Sequence, residues 1–329
     1  MAGIRVSDLG EQYSWGSRVS GVSRDNINDE GLRDELRRLF VDRGLIVFED
    51  MEPAPNMQVE LSKVFGPLKD HPTKSTARAD PGLDPGIIDM HRRPLEDPSR
   101  SHGQTELNGK MVASFIPWHF DHSYNDELNY AGVLRSVIAA PVDGRTGFAD
   151  GIEIYKSLDP QTKEKLANLN AIYTLDVRLS QRRFGRNFKA SWDSEQQAGL
   201  IAEAATFPRA IHPMIWTRPT GEKVAHFCGF SAGGIEDHED PEGDAIFEEA
   251  LQEMYRKINP YWHDWKTTDM VIWDNHRMLH AVEGCDAKYE RRMHRTTIKG
   301  DYGLGRFEDN KKIGEVKREV PPLLLPQDA

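Results

Sequence analysis

Four consecutive residues, Trp118-His119-Phe120-Asp121, constrain the fold more than any other stretch of the chain. In an extended strand successive side chains alternate faces, so His119 and Asp121 project to one side while Trp118 and Phe120 project into an opposite, apolar layer. Such a strand needs a sheet packed on a core, with chemistry on its other face. An imidazole and a carboxylate two residues apart, joined by a second imidazole from far downstream, make a 2-His-1-carboxylate facial triad, which leaves positions open on Fe(II). A second His-x-Asp, His238-Glu239-Asp240, lies among acids, Gly and Pro with no apolar alternation, and reads as a solvated loop.

The rest of the chain is read around this strand. Leu32, Leu36, Leu39 and Phe40 form one stripe of an amphipathic helix that Gly44 stops. A strand Leu45-Ile46-Val47-Phe48 and a second helix from about Asn56 to Gly66-Pro67 follow, so residues 1–68 read αβα. Residues 70–110, polar and rich in Pro, Arg and Asp, read as a lid or entrance loop. Strands are predicted at 111–121, 130–140, 171–175, 261–265, 270–274 and about 291–298, with another after the turn at 141–147. Residues 211–217 and 223–230 read as a hairpin, 151–168 and 243–258 as helical, and 180–208 stay unassigned. The tail, 301–329, is charged and then Pro-rich, with no core periodicity. Short strands punctuated by turns, with helices at the front and in one long insertion, point to a mainly β fold with flanking helices. The expected architecture is a double-stranded β-helix, of the jelly-roll or cupin-like type, as one decorated domain over 1–329.

Forty-two Lys and Arg against 53 Asp and Glu give a net charge of -11, which argues against nucleic-acid and anionic-membrane partners. No run of 18 apolar residues and no apolar stretch near Met1 appear, so a cytoplasmic protein without a membrane partner is expected. Cys228 and Cys285 are too few for a disulfide framework and read as buried small hydrophobes. The stretch Met270-Val271-Ile272-Trp273-Asp274-Asn275-His276-Arg277-Met278-Leu279-His280 offers two candidates for the second imidazole, His276 and His280. In the strand that follows, Arg291, Met293 and Arg295 share a face and Arg292 points away. Two guanidinium groups on one inward face call for anions.

These stretches together resemble the taurine dioxygenase and 2,4-dichlorophenoxyacetate dioxygenase family of Fe(II)- and 2-oxoglutarate-dependent oxygenases. Trp118-His119-Phe120-Asp121 resembles its Trp-His-x-Asp motif, and Gly144-Arg145-Thr146-Gly147-Phe148-Ala149-Asp150 its Gly-x-Thr-x-Phe-Ala-Asp stretch. Val271 to Asn275 with His280, and Arg291 to Ile298, are similar to its C-terminal signature. His119 to Thr146 spans 27 residues and His280 to Arg291 spans 11, the separations expected in that family, which sets His276 and Arg292 aside. The resemblance implies that His119, Asp121 and His280 hold iron and that Thr146 and Arg291 bind the distal carboxylate of 2-oxoglutarate. It further implies that Arg295 faces the co-substrate or an acidic group of the prime substrate, and, by a looser match, that His71 faces the substrate. Trp265 and Trp273 match aromatics near the iron but read as packing. The implied reaction consumes O2, decarboxylates 2-oxoglutarate to succinate and CO2, and hydroxylates a small organic acid, or cleaves it where the carbon bears a heteroatom. A taurine- or alkylsulfate-type substrate competes with the carboxylic acid. A Zn hydrolase using the same triad would leave Arg291 without a role, and a non-catalytic acid-binding jelly roll would not need Asp121. A homo-oligomer is left open.

Overall fold

Two sheets face each other across the core. The computed structural model describes residues 3–73, 75–79, 86–94, 103–194 and 197–309. Its larger sheet takes seven strands in the order Arg5–Asp8, Ser17–Ser20, Leu45–Glu49, Met270–Asp274, Ala131–Ile138, Arg291–Ile298 and Ile88–Arg92. The smaller takes four: Tyr261–His263, Thr146–Asp150, Met278–Val282 and Ile116–His119. All of these pairs are antiparallel except Ser17–Ser20 beside Leu45–Glu49. This is the expected jelly roll.

Strand alternation explains why the sheets face as they do. Leu45, Val47, Leu134, Val271, Trp273 and Met293 of the large sheet meet Phe148, Tyr261 and Met278 of the small one in a shared interior. The alternate residues Ile46, Phe48, Val133, Ile272 and Ile298 face outward under two helices, Glu30–Arg43 and Pro55–Phe65, which contribute Leu36, Phe40, Met57, Leu61 and Val64. The first helix starts where the Asp29 carboxylate accepts from the Leu32 N–H, and ends where Gly44, at φ 73°, donates its N–H to the Phe40 carbonyl. The outer face of the small sheet, with Phe120, Ala149 and Leu279, is covered by the long insertion, chiefly Ile154 of Gly151–Ser157 and Phe247, Leu251 and Met254 of Pro241–Lys257. Asp240 of the second His-x-Asp caps that last helix, accepting from the Gly243 N–H. Cys228 and Cys285 are free and buried.

Several expectations are corrected. Two short strands, Arg5–Asp8 and Ser17–Ser20, precede the first helix, so the opening segment is ββαβα; the first of them is exposed throughout and has no apolar alternation to reveal it. Residues 70–110 are not one loop. Ile88–Arg92 forms an edge of the large sheet beside Arg291–Ile298, while Gln104–Leu107 and Lys110–Ala113 form a hairpin joined by Ala190–Trp192. The turn of that hairpin is Asn108-Gly109, both at positive φ, a strong sequence signal for a tight hairpin. Residues 74, 80–85 and 95–102 lie outside the described ones. The expected tail begins inside the fold: Arg306–Phe307 pairs with Ala210–Pro213, and Phe307 is fully buried, whereas 310–329 lie outside the described residues.

Candidate active site

The small sheet brings His119 and His280 together by register. They are direct Cα partners on neighbouring antiparallel strands, so their rings share one face, with centroids 4.0 Å apart. The strand ends at His119, so the expectation that it runs through Asp121 is corrected: Asp121 sits in the turn just beyond. What fixes it there is Asn275, whose side chain accepts from the Asp121 N–H at 2.8 Å and donates to the Asp121 carbonyl at 3.0 Å and to Asn129 at 3.1 Å. Asn275 is wholly buried and was legible in the sequence only as part of a motif, with no role.

One ligand atom from each of His119, Asp121 and His280 lies within 4.8 Å of the others. Among the described residues this is the sole group of three or more metal-type ligands so placed. Its donor set fits a metal. His119 Nδ1 is 2.8 Å from the Pro117 carbonyl, which places the ring proton there and leaves Nε2 with a free lone pair. Burial pulls His119 below its ordinary pKa, outweighing the Asp121 charge that pushes it up, and burial together with the neighbouring His119 pulls His280 well below it, so both rings are neutral ligands at pH 7. Burial pushes the Asp121 carboxyl up, but the Arg295 guanidinium, then His280, His122 and His119, more than offset it and keep Asp121 well below the usual carboxylate range. Arg295 Nη1 donates to Asp121 Oδ1 at 2.6 Å. His276, the rejected candidate, lies elsewhere: its ring meets Tyr302 edge-on at 4.8 Å, and its Nε2 is 3.7 Å from Asp301.

Arg291 faces inward, as parity requires. Its Nε donates to the Gly144 carbonyl at 3.2 Å, while Nη2 is buried and has no partner among the described residues. Burial lowers this guanidinium to about 10, the mark of a charge held out of water without a counter-ion. A cavity of about 190 Å³ adjoins it, lined also by Trp265, Met293 and Asp143. Thr146 lies one residue beyond Arg145, whose side chain turns outward onto Glu283. The Thr146 hydroxyl accepts from Trp265 Nε1 at 3.0 Å, which leaves its own O–H free to donate. Trp265 is therefore more than the packing residue expected. Trp273 is packed on both sides, against Phe148 at 5.7 Å and His280 at 4.9 Å. Arg292 points away and pairs with Asp89 through two bonds of 2.8 Å. The register shift beside it falls between Ser136 and Ile138 of the partner strand, so the parity of the arginines is undisturbed.

His71 reaches the same region. Its Nδ1 accepts from the Thr73 N–H at 3.2 Å and meets the Thr73 hydroxyl at 2.7 Å, and its ring stands edge-on to that of His122, 5.1 Å away. His122 is buried beside Asp121, and nothing in the sequence motif singles it out.

A jelly roll in which two neighbouring strands of one sheet and the turn beyond them gather two histidines and one aspartate, with an arginine buried on a strand of the other sheet, defines a mononuclear metal enzyme that also takes an anionic co-substrate. Residues 5–297 match the sequence profile of the taurine catabolism dioxygenase TauD, TfdA family, and the chain belongs to that family. It is an Fe(II)- and 2-oxoglutarate-dependent dioxygenase, with O2 as the other co-substrate. An (S)-phenoxypropionate/alpha-ketoglutarate-dioxygenase of Sphingobium herbicidovorans is 26% identical over 289 residues, covering 88% of this chain and 93% of the relative. An alpha-ketoglutarate-dependent 2,4-dichlorophenoxyacetate dioxygenase of Cupriavidus pinatubonensis is 24% identical over 268 residues, covering 81% and 88%. Among solved structures, AAD-2 in complex with Mn(II) and N-oxalylglycine superposes with a TM-score of 0.66 at 20% identity, covering 92% of this chain and 100% of that one. A taurine dioxygenase from Burkholderia xenovorans gives 0.65 at 17% identity, covering 94% of each chain. Among the described residues, no helix is long and apolar enough to cross a membrane.

Proposed function

We propose that His119, Asp121 and His280 hold the iron, that Arg291 and Thr146 hold the distal carboxylate of 2-oxoglutarate, and that Arg295 and His71 face the acidic group of a small organic acid which the enzyme hydroxylates or cleaves. The observation that carries this reading is the Arg291 guanidinium, buried with Nη2 unpartnered among the described residues, on a cavity it shares with Trp265, which leaves the Thr146 hydroxyl free to donate. A planar guanidinium takes a carboxylate through two bonds, and a neutral hydroxyl completes the oxygen's coordination. A Zn hydrolase leaves this arginine idle.

Iron bound at the triad supplies the O2 chemistry. The chain's own residues bind, orient and exclude water. Asn275 holds the Asp121 peptide, Pro117 fixes the His119 tautomer, and Trp265 orients Thr146. An acidic prime substrate is supported by Arg295 and by the phenoxy acids named for the two relatives. A sulfonate dioxygenase of Saccharomyces cerevisiae, 26% identical over 280 residues, makes sulfonates the competing class. The net charge of -11 again disfavours a polyanionic partner. The test is metal analysis together with succinate release from 2-oxoglutarate over a panel of carboxylates and sulfonates. Asp121→Ala should lose both Fe(II) binding and turnover; unchanged iron stoichiometry in that variant overturns the ligand assignment.

A further inference from the structure

His122 is 3% exposed, and among the described residues neither of its ring nitrogens has a hydrogen-bond partner. A buried imidazole left unmet on both sides is disfavoured unless something fills the space beside it. The residue also holds a left-handed backbone, φ 60°, directly after Asp121. A side chain other than glycine adopts that conformation only where its surroundings impose it, and such residues gather at functional sites. His122 does not belong to the metal group, whose close ligand atoms come from His119, Asp121 and His280. Its ring lies instead against the His71 ring, at 80° and 5.1 Å, within electrostatic reach of Asp121 and Arg295.

The neighbours are donors. His71 Nδ1 accepts from the Thr73 N–H, so the His71 ring proton is on Nε2. Arg295 keeps a buried Nε with no partner among the described residues. A neutral His122 brings one N–H and one lone pair to the same place. These donors lie within electrostatic reach of one another and of Asp121, and together they suit an oxygen-rich anionic group better than an apolar one.

Resting on the reading of the site proposed above, we propose that His122 is a specificity-determining contact of the prime substrate. With His71 it forms a two-imidazole cradle, at the Arg295 end of the site, that receives the substrate's acidic group. The lone pair of His122 takes a donor from the same ligand or from a water held with it.

The test uses the full chain loaded anaerobically with Fe(II) and 2-oxoglutarate. Phenoxyacetate, 2-phenoxypropionate, the methyl ester of each and hexane-1-sulfonate are titrated in, with the 2-oxoglutarate Kd measured separately. At least one acid should bind and its uncharged ester should not. His122→Gly, which suits the positive φ, should weaken the best-bound acid by about ten- to a hundredfold, the loss of one hydrogen bond to a charged group. Iron stoichiometry and 2-oxoglutarate Kd should be unchanged. His122→Asn tolerates the same backbone and offers a donor and an acceptor, so it should recover part of the affinity. The proposal is overturned if His122→Gly binds the acid as the parent does, if acid and ester bind alike, or if no acid of the panel binds. Arg291→Ala separates the two levels. If it leaves 2-oxoglutarate binding intact the site reading itself fails; if it weakens that binding while His122→Gly leaves the acid unaffected, only the His122 proposal fails.

Discussion

At the scale of single residues, three arginines on one strand carry three different duties, and each has a measurable signature. Arg291 is buried with its Nη2 unpartnered among the described residues, Arg295 is bonded to Asp121, and Arg292 lies on the opposite face against Asp89. Truncating one partner of a desolvated charge pair costs about 2 to 5 kcal/mol. Arg291→Ala should therefore raise the apparent 2-oxoglutarate constant by at least tens of fold. Arg292→Ala removes a partly exposed ion pair, worth about 0 to 1 kcal/mol, and should leave that constant unmoved. Arg295→Ala should chiefly damage use of the acidic substrate, with 2-oxoglutarate decay continuing without product. If Arg292→Ala alone cripples 2-oxoglutarate binding, the assignment of roles along this strand is wrong. The sequence separated Arg292 from the other two because alternation is a local property of a strand.

At the scale of elements, Gly132 shows how one strand makes room for another's function. It is the direct cross-strand partner of Trp273, and a Cβ there would lie 2.5 Å from the indole ring. Trp273 in turn packs 4.9 Å from the His280 ring. Gly132→Ala should push the indole toward His280, costing about 1 to 3 kcal/mol of stability as overpacked cores do. The lower melting temperature should be accompanied by weaker Fe(II) binding; a variant with lower stability but unchanged metal affinity would show that the indole moves the other way. A second prediction concerns the segment around His71. His71, Thr73 and Thr76 bond to one another, Arg78 pairs with Asp70, and Ser75 bonds to Glu203. We propose that this stretch closes over the metal. Trypsin cleavage at Arg78 should then slow when iron, 2-oxoglutarate and an acidic substrate are present together, and equal cleavage with and without them would argue against closure.

At the scale of the whole molecule, the interior holds many neutral histidines. Burial pushes His212 down to about 4 and His226 and His276 down to about 3, against an ordinary value of 6.5. Between pH 6.5 and about 4 the unfolded chain binds protons that the native one does not, so stability rises with pH across that window and is lost as the pH falls. Each such proton contributes about 1.4 kcal/mol per pH unit. Asp274 works the other way: burial raises it to about 6, so the native state takes a proton there before the unfolded chain does, offsetting part of the effect. Three histidines outweigh one aspartate. The melting temperature of metal-free protein should fall steadily from pH 6.5 toward 4, and a flat profile would mean that these rings are protonated in the native state.

What the sequence determined by itself was local in origin. It placed His119 and Asp121 two residues apart, put Arg291 and Arg295 on one face, and marked the first helix by its apolar stripe and Gly44. Asn108-Gly109 was equally legible as a hairpin turn, and only the polar composition around it hid the fact. Long-range pairing was decided by the tertiary structure alone. Nothing near His280 distinguishes it from His276 four residues earlier, except a resemblance in spacing; the antiparallel register that sets His280 opposite His119, across 161 residues of chain, makes it the histidine that meets Asp121. The same holds for Asn275 on the Asp121 peptide, Trp265 on Thr146 and His71 against His122. A strand's alternation follows from its own backbone geometry, whereas which strand lies beside it depends on how the whole chain buries its apolar faces.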